Sequence, residues 1–193
     1  MKKPGWLEII IIEFVSLYLR SSSIEAGRWR LIDRYLPRLR IMGGKMGART
    51  ITTHHKFKMR VNLSEWIGQH IYMTGGFEKE VAETLRKILE PGDVFVDVGA
   101  NIGFFSLLAS KVVGPGGRIY AFEPAPGTHQ IFENNIKING LNNIDVHQIA
   151  LSRSNGQVPF YMKGQKKIKD YRAFGSWRMH RAVTMLKLMH LIS

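Results

Sequence analysis

Aspartate, glycine, asparagine and glycine alternate in Asp97-x-Gly99-x-Asn101-x-Gly103, and Glu123 follows 20 residues after the last of them. A glycine-rich turn of this kind bends tightly and lets a ligand come close to the backbone. The two acids bring a different chemistry: a carboxylate holds a cation or accepts hydrogen bonds from hydroxyls. Of the seven histidines, His54, His55, His129 and His147 are the candidates for proton carriers or metal ligands. His54-His55 are adjacent on an extended segment and point to opposite faces, so they are not a metal pair, and no metal-ligand set is expected. His129 and His147 read as packed or surface histidines, and Glu78 as a carboxylate at a helix start. The chain has no cysteine, which excludes a thiol nucleophile, a thiolate metal site and a disulfide scaffold.

The elements around these residues follow from the apolar pattern. Val94-Phe95-Val96 is a short β-rich run that leads into the turn. A helical pattern through Phe104, Phe105, Leu107, Leu108 and Val112 ends at Gly114-Pro115-Gly116-Gly117. Arg118–Phe122 reads as a second strand, ending at Glu123-Pro124. A helix over about 128–138 stops at Asn139-Gly140, and Ile144–Leu151 reads as a third strand. Strand, helix, strand, helix, strand with short links implies a parallel α/β sheet with helices on its faces. The turn then lies at the carboxyl end of the first strand, where such sheets bind nucleotide-like ligands. In this reading Asn101 caps the following helix and Gly103 lets that helix lie close to the sheet. A turn at Ser154-Asn155-Gly156 would let Gln157–Met162 pair back as a hairpin strand.

Charge selects among the nucleotide cofactors. A dinucleotide fingerprint G-x-G-x-x-G places glycines at 99, 101 and 104, whereas the chain has Gly99, Asn101 and Phe104. A carboxylate at 97 would also repel a pyrophosphate. A ligand with a sulfonium and an α-ammonium reverses that sign, and Glu123 suits two ribose hydroxyls. S-adenosyl-L-methionine meets both demands, and a nicotinamide oxidoreductase is disfavoured.

The string Phe95-Val96-Asp97-Val98-Gly99-Ala100-Asn101-Ile102-Gly103-Phe104-Phe105-Ser106, with Tyr120-Ala121-Phe122-Glu123-Pro124, Asn134-Asn135-Ile136, Asn139-Gly140 and Ala150-Leu151-Ser152, resembles the FkbM family of S-adenosylmethionine-dependent methyltransferases. The resemblance runs from about Gly76 to Phe160. It implies a Rossmann-like class I methyltransferase sheet and O-methylation of a hydroxyl on a sugar or secondary metabolite, with a small-molecule or glycan hydroxyl as acceptor. By this resemblance Asp97, Gly99 and Asn101, with Ala100 and Gly103 of the same turn, hold the methionine end, Glu123 the ribose, and Ala150 lies by the adenine. The family continues with a fourth strand bearing a Lys-Ile-Asp-x-Glu-Gly type segment, and residues 163–193 hold nothing like it. The expectation is therefore an α/β fold truncated after the third core strand and incomplete at its C-terminal half. Val94–Val98 would then form an exposed apolar edge unless a terminal segment or a partner covered it. Catalytic bases of class I folds commonly come from that far half, so none is named.

Of the formal charge of +13, residues 1–60 contribute 13 basic and 4 acidic side chains and residues 163–193 contribute 8 and 1. Residues 61–162 hold 7 basic and 10 acidic, so the segment with the strongest fold pattern is slightly acidic and nucleic acid is a disfavoured partner. The expected organisation is a basic N-terminal helical and hairpin extension (1–60), a cofactor-binding core (61–162) and a basic, Met-rich tail (163–193). Trp6–Leu19 forms an amphipathic helix interrupted by Glu8 and Glu13, with no A-x-A cleavage site after it. It suits docking on the domain or contact with an anionic membrane surface, and the chain is expected to be cytoplasmic or membrane-peripheral. A second helix is expected to end near Pro37, with Gly43-Gly44 and Gly47 in a loop. Arg49–His54 and Lys56–Leu63 read as two short strands, and Glu78–Leu89 as a helix. The competing functional reading is a non-catalytic basic protein, membrane-peripheral or nucleic-acid-associated, on a relict methyltransferase fold.

Overall fold

The computed structural model describes residues 6–21, 27–152, 156–160, 168–175 and 183–185. The chain divides into two compact units, Met1–Ala82 and Glu83–Ser193. The sequence places a boundary at 60/61, but that point lies inside a hairpin strand, and the division instead falls within a helix.

In the first unit, α1 (Trp6–Ser21) buries Ile12, Ser16 and Leu19, spaced by four and three residues so that they share one helix face. Helix α2 (Arg28–Met46) buries Ile32, Leu39, Met42 and Met46. It runs straight through Pro37, contrary to the expected stop. Proline removes one N–H whose acceptor would be the Asp33 carbonyl oxygen, and with both residues exposed the lost bond does not leave a buried residue short of a partner. Gly43-Gly44 are helical too, and Gly43 is required by packing: a Cβ there would lie 1.7 Å from the Leu63 carbonyl oxygen. The helix ends at Gly47, whose N–H donates to the Gly43 carbonyl oxygen.

Strands β1 (Ala48–Thr52) and β2 (Lys58–Asn62) pair antiparallel, with Ile51 opposite Met59. Ile51, Met59 and Val61 turn inward, as the alternation predicts. The hydroxyl of Thr53 donates to the Phe57 carbonyl oxygen at 3.0 Å and closes the turn that carries His54 and His55. Helix α3 (Trp66–Thr74) follows, and then α4 (Lys79–Ile88), which contains the division between the units.

The second unit contains the expected parallel sheet. Strands β3 (Val94–Val98), β4 (Arg118–Phe122) and β5 (Ile144–His147) lie parallel, linked by α5 (Phe104–Val113) and α6 (Pro126–Ile138). Phe95, Val96, Ile119, Ala121 and Phe122 are all buried, the near-continuous apolar pattern of strands covered on both faces. The side of β3 expected to stand open carries a short parallel strand, β9 (Val183–Met185), giving the order β5-β4-β3-β9. A three-residue strand in a Met-rich segment leaves no periodic signature, which is why the sequence did not announce it.

The third strand of the sequence reading is two strands. Gln148-Ile149 interrupt it, and β6 (Ala150–Ser152) joins a separate sheet of order β6-β8-β7 with β7 (Gly156–Phe160) and β8 (Ile168–Gly175). β7 pairs antiparallel with β8, not back onto β6 as expected. The Ser154-Asn155 part of the expected turn, the run Lys166-Lys167, Met179 and Met189 lie outside the described residues. Among the described residues no helix is long and apolar enough to cross a membrane.

Candidate functional site

The carboxyl ends of β3 and β4 bring the turn and Glu123 together. Along the turn, Gly99, Asn101 and Gly103 all have positive φ, at 77°, 52° and 88°. Glycine accepts this freely, and asparagine is among the few other residues that tolerate it. The space next to Gly99 is open: a Cβ built there meets no atom within 4 Å, and the residue is exposed. Gly103 is the opposite case. A Cβ there would lie 2.1 Å from the Phe132 ring of α6, so its small size serves contact with α6 and not, as expected, with the sheet.

Every amide N–H of the turn is directed inward. Gly99 and Ala100 both donate to the Phe122 carbonyl oxygen, at 2.8 and 3.1 Å, and Gly103 donates to the Ala100 carbonyl oxygen at 2.9 Å. Asn101 N–H donates to Glu123 Oε2 at 2.9 Å. Ile102 N–H donates to Asn101 Oδ1, also at 2.9 Å. Asn101 therefore braces the turn itself, and Gly103, not Asn101, occupies the N-cap of α5. A turn built this way has no amide left to cradle a pyrophosphate, which is how glycine-rich loops bind dinucleotides.

The acids lie deep. Glu123 is 6% exposed, and its second oxygen, Oε1, accepts the Ala125 N–H at 2.8 Å. Two backbone donors thus hold the Glu123 carboxylate at the end of β4. Asp97 is 8% exposed, and its Oδ2 accepts the Ser106 hydroxyl at 2.6 Å. Burial pushes the Asp97 carboxyl up to about 6; hydrogen bonds from the Ser106 side chain and backbone oppose the rise, and the charge of Glu123 adds to it. Among the described residues no cation pairs with Asp97. The two buried carboxylates create a region of negative potential, and a positively charged group beside them would relieve it.

Two residues that hold the site were not singled out as functional from the sequence. Ser106 anchors Asp97, and Asn135 of α6, fully buried, donates its Nδ2–H to the Ile102 carbonyl oxygen at 2.9 Å. The available signal was a polar residue on the inward face of an otherwise apolar helix pattern. Ala150 is not brought to the turn by these contacts; it lies on β6 of the other sheet, paired with Ala173. His147 stacks on Phe122 at 5.3 Å between ring centres, and the Glu123 N–H donates to its carbonyl oxygen at 3.0 Å. His129 occupies the first turn of α6. In the other unit, burial lowers the pKa of His54 and of His70. Among the described residues no three His, Asp or Glu side chains gather as a metal site.

Comparison with known proteins gives the chain a family. The family model described as the TRM5/TYW2 methyltransferase domain matches residues 50–189. Methyltransferase 1 of Beauveria bassiana is 38% identical over 69 residues, which are 35% of this chain and 27% of that protein. The 31-O-demethyl-FK506 methyltransferase FkbM of Streptomyces tacrolimicus is 60% identical over 38 residues, 20% of this chain and 14% of that protein. The chain thus spans about a quarter or less of the length of these two relatives. Among solved structures, TYW2 of M. jannaschii in complex with AdoMet is 22% identical with a TM-score of 0.42, covering 51% of this chain and 42% of that one.

Proposed function

The chain belongs to the TRM5/TYW2 methyltransferase domain family, with S-adenosylmethionine as its cofactor, and from that premise we propose that the turn 97–103 and Glu123 form its cofactor site. When bound, the cofactor supplies an electrophilic methyl group on a sulfonium. Asp97 sets a negative potential that favours the sulfonium and α-ammonium. Gly99 gives the methionine end open space along the backbone, and Ala100, Asn101 and Gly103 complete the turn that presents it. The Glu123 carboxylate accepts hydrogen bonds from the ribose hydroxyls, and Ala150 contributes to the adenine end. One observation carries this reading: two buried carboxylates at neighbouring strand ends, beside a turn whose amides all point inward. That arrangement suits a cation and repels a diphosphate.

The acceptor we favour is a hydroxyl of a small molecule or glycan, methylated on oxygen. The short, high-identity match to a protein named as a demethyl-FK506 methyltransferase supports it. Holding donor and acceptor in line can contribute on the order of 7–11 kcal/mol to such a transfer. An RNA acceptor is the second reading, favoured by the name of the matching family model and by the charge of +13. Calorimetric titration of S-adenosylmethionine into the chain and into Glu123→Gln tests the cofactor site. Loss of charge-assisted hydrogen bonds should weaken binding about ten- to a hundredfold; equal affinity in both proteins refutes the assignment. Transfer of labelled methyl to bulk tRNA, and not to hydroxylated small molecules, would replace the first acceptor with the second.

A further inference from the structure

We propose that the N-terminal unit docks on an anionic lipid surface, through α1 as the apolar insertion face and α2 as the cationic face. The inference is independent of the methyl-transfer reading. Helix α1 buries Ile12, Ser16 and Leu19 against its own unit, so the opposite side faces outward. That side carries Trp6, Leu7, Ile10, Phe14, Leu17 and Tyr18, all exposed. At about 100° per residue they fall within an arc of roughly 120°. Trp6 is 75% and Phe14 69% exposed, whereas large side chains docked on their own domain would be covered. Glu8 and Glu13 stand outside this arc.

Helix α2 adds the charge. Arg30, Arg34, Arg38, Arg40 and Lys45 are exposed on it against a single acid, Asp33. Trp29, 69% exposed, and Ile41 stand among them. Tryptophan and tyrosine favour the boundary between headgroups and acyl chains, and arginine stems reach from there to lipid phosphates. Charge and apolar surface together are what an anionic bilayer complements. RNA would use the arginines but leave the Leu, Ile and Phe stripe of α1 in water. α1 has 16 residues, too few to span the hydrocarbon core, so it lies in the interface plane.

Co-sedimentation of the full chain with phosphatidylcholine vesicles, with and without phosphatidylserine, tests this. Binding should require phosphatidylserine and weaken with salt. The triple variant Arg30→Gln/Arg34→Gln/Arg38→Gln should lose about fivefold in partitioning per arginine, roughly a hundredfold in all. Trp6→Ser/Phe14→Ser, with charge unchanged, should also release the protein. In the unsubstituted chain, brominated acyl chains should quench tryptophan emission, a readout that does not depend on any variant folding. Retention of Trp6→Ser/Phe14→Ser on vesicles together with unquenched tryptophan would reduce the contact to charge alone and overturn the proposal. RNA binding without vesicle binding, or a dimer that dissociates in Trp6→Ser/Phe14→Ser without vesicle binding, would overturn it in favour of those partners.

Discussion

Replacing Asp97 by asparagine should make the protein more stable and a poorer binder at the same time. The carboxyl, 3.8 in the unfolded chain, rises to about 6 on folding because it is buried. At 1.36 kcal/mol per pKa unit, this two-unit rise means that ionised Asp97 opposes folding by about 3 kcal/mol. A carboxyl with a raised folded pKa favours folding in its protonated form. That benefit is full below 3.8 and is lost as the pH climbs through about 6. An asparagine side chain has the same shape without the charge, and it still accepts one bond from Ser106, with the loss of the other costing about 1 kcal/mol. Asp97→Asn should therefore be about 2 kcal/mol more stable at about pH 7.5 by urea denaturation, with the advantage gone near pH 4. Wild-type affinity for S-adenosylmethionine should fall about tenfold per pH unit below about 6, because the cation needs the ionised acid, and Asp97→Asn should bind at least tenfold more weakly at neutral pH with no such slope. An Asp97→Asn variant that is less stable at about pH 7.5 and binds equally well would overturn both expectations, leaving Asp97 as an anchor for α5 through Ser106 and nothing more.

Three further substitutions separate space from strain. Gly99→Ala meets no atom within 4 Å and carries only the left-handed backbone penalty of about 1–2 kcal/mol; calorimetry should nevertheless show cofactor binding at least tenfold weaker, and unchanged binding would mean the open space is not used. Gly103→Ala adds a clash with Phe132 at 2.1 Å to the same penalty, and should lower stability in urea by about 2–5 kcal/mol; a loss under about 1 kcal/mol would show that α6 yields. Asn135→Leu leaves the Ile102 carbonyl oxygen without its donor and should cost about 1–3 kcal/mol while weakening cofactor binding; a variant as stable as wild type would remove Asn135 from the support of the turn.

The parts of the fold that are legible in the sequence are those in which local pattern and global position agree. The apolar run before Asp97, the alternating glycines and the acid at the end of the next strand each limit the backbone on their own, and the parallel order follows from the spacing. Partners across long separations are not legible. Gly103 reads as a residue that must be small, and it is one, but its neighbour is Phe132, 29 residues on, and no periodicity reports that. Pro37 and Gly43 read as breakers because their local preferences are strong, yet the exposed position of Pro37 and Asp33 and the close approach of Leu63 make both fit a helix. Asn101 has the composition of a helix cap without being one, since the same side chain also braces a left-handed turn. Ser106 and Asn135 stay hidden for the converse reason: a polar residue in a helix declares itself only once its buried partner is known.

The decisive test of the cofactor site is a crystal structure of the chain grown with S-adenosylhomocysteine. The nucleoside should lie against the open side of Gly99, with the Glu123 carboxylate within hydrogen-bonding distance of both ribose hydroxyls. A nucleoside bound elsewhere, or a Glu123 that still holds Asn101 and Ala125 and touches no ribose oxygen, would show that these two acids do not form the site.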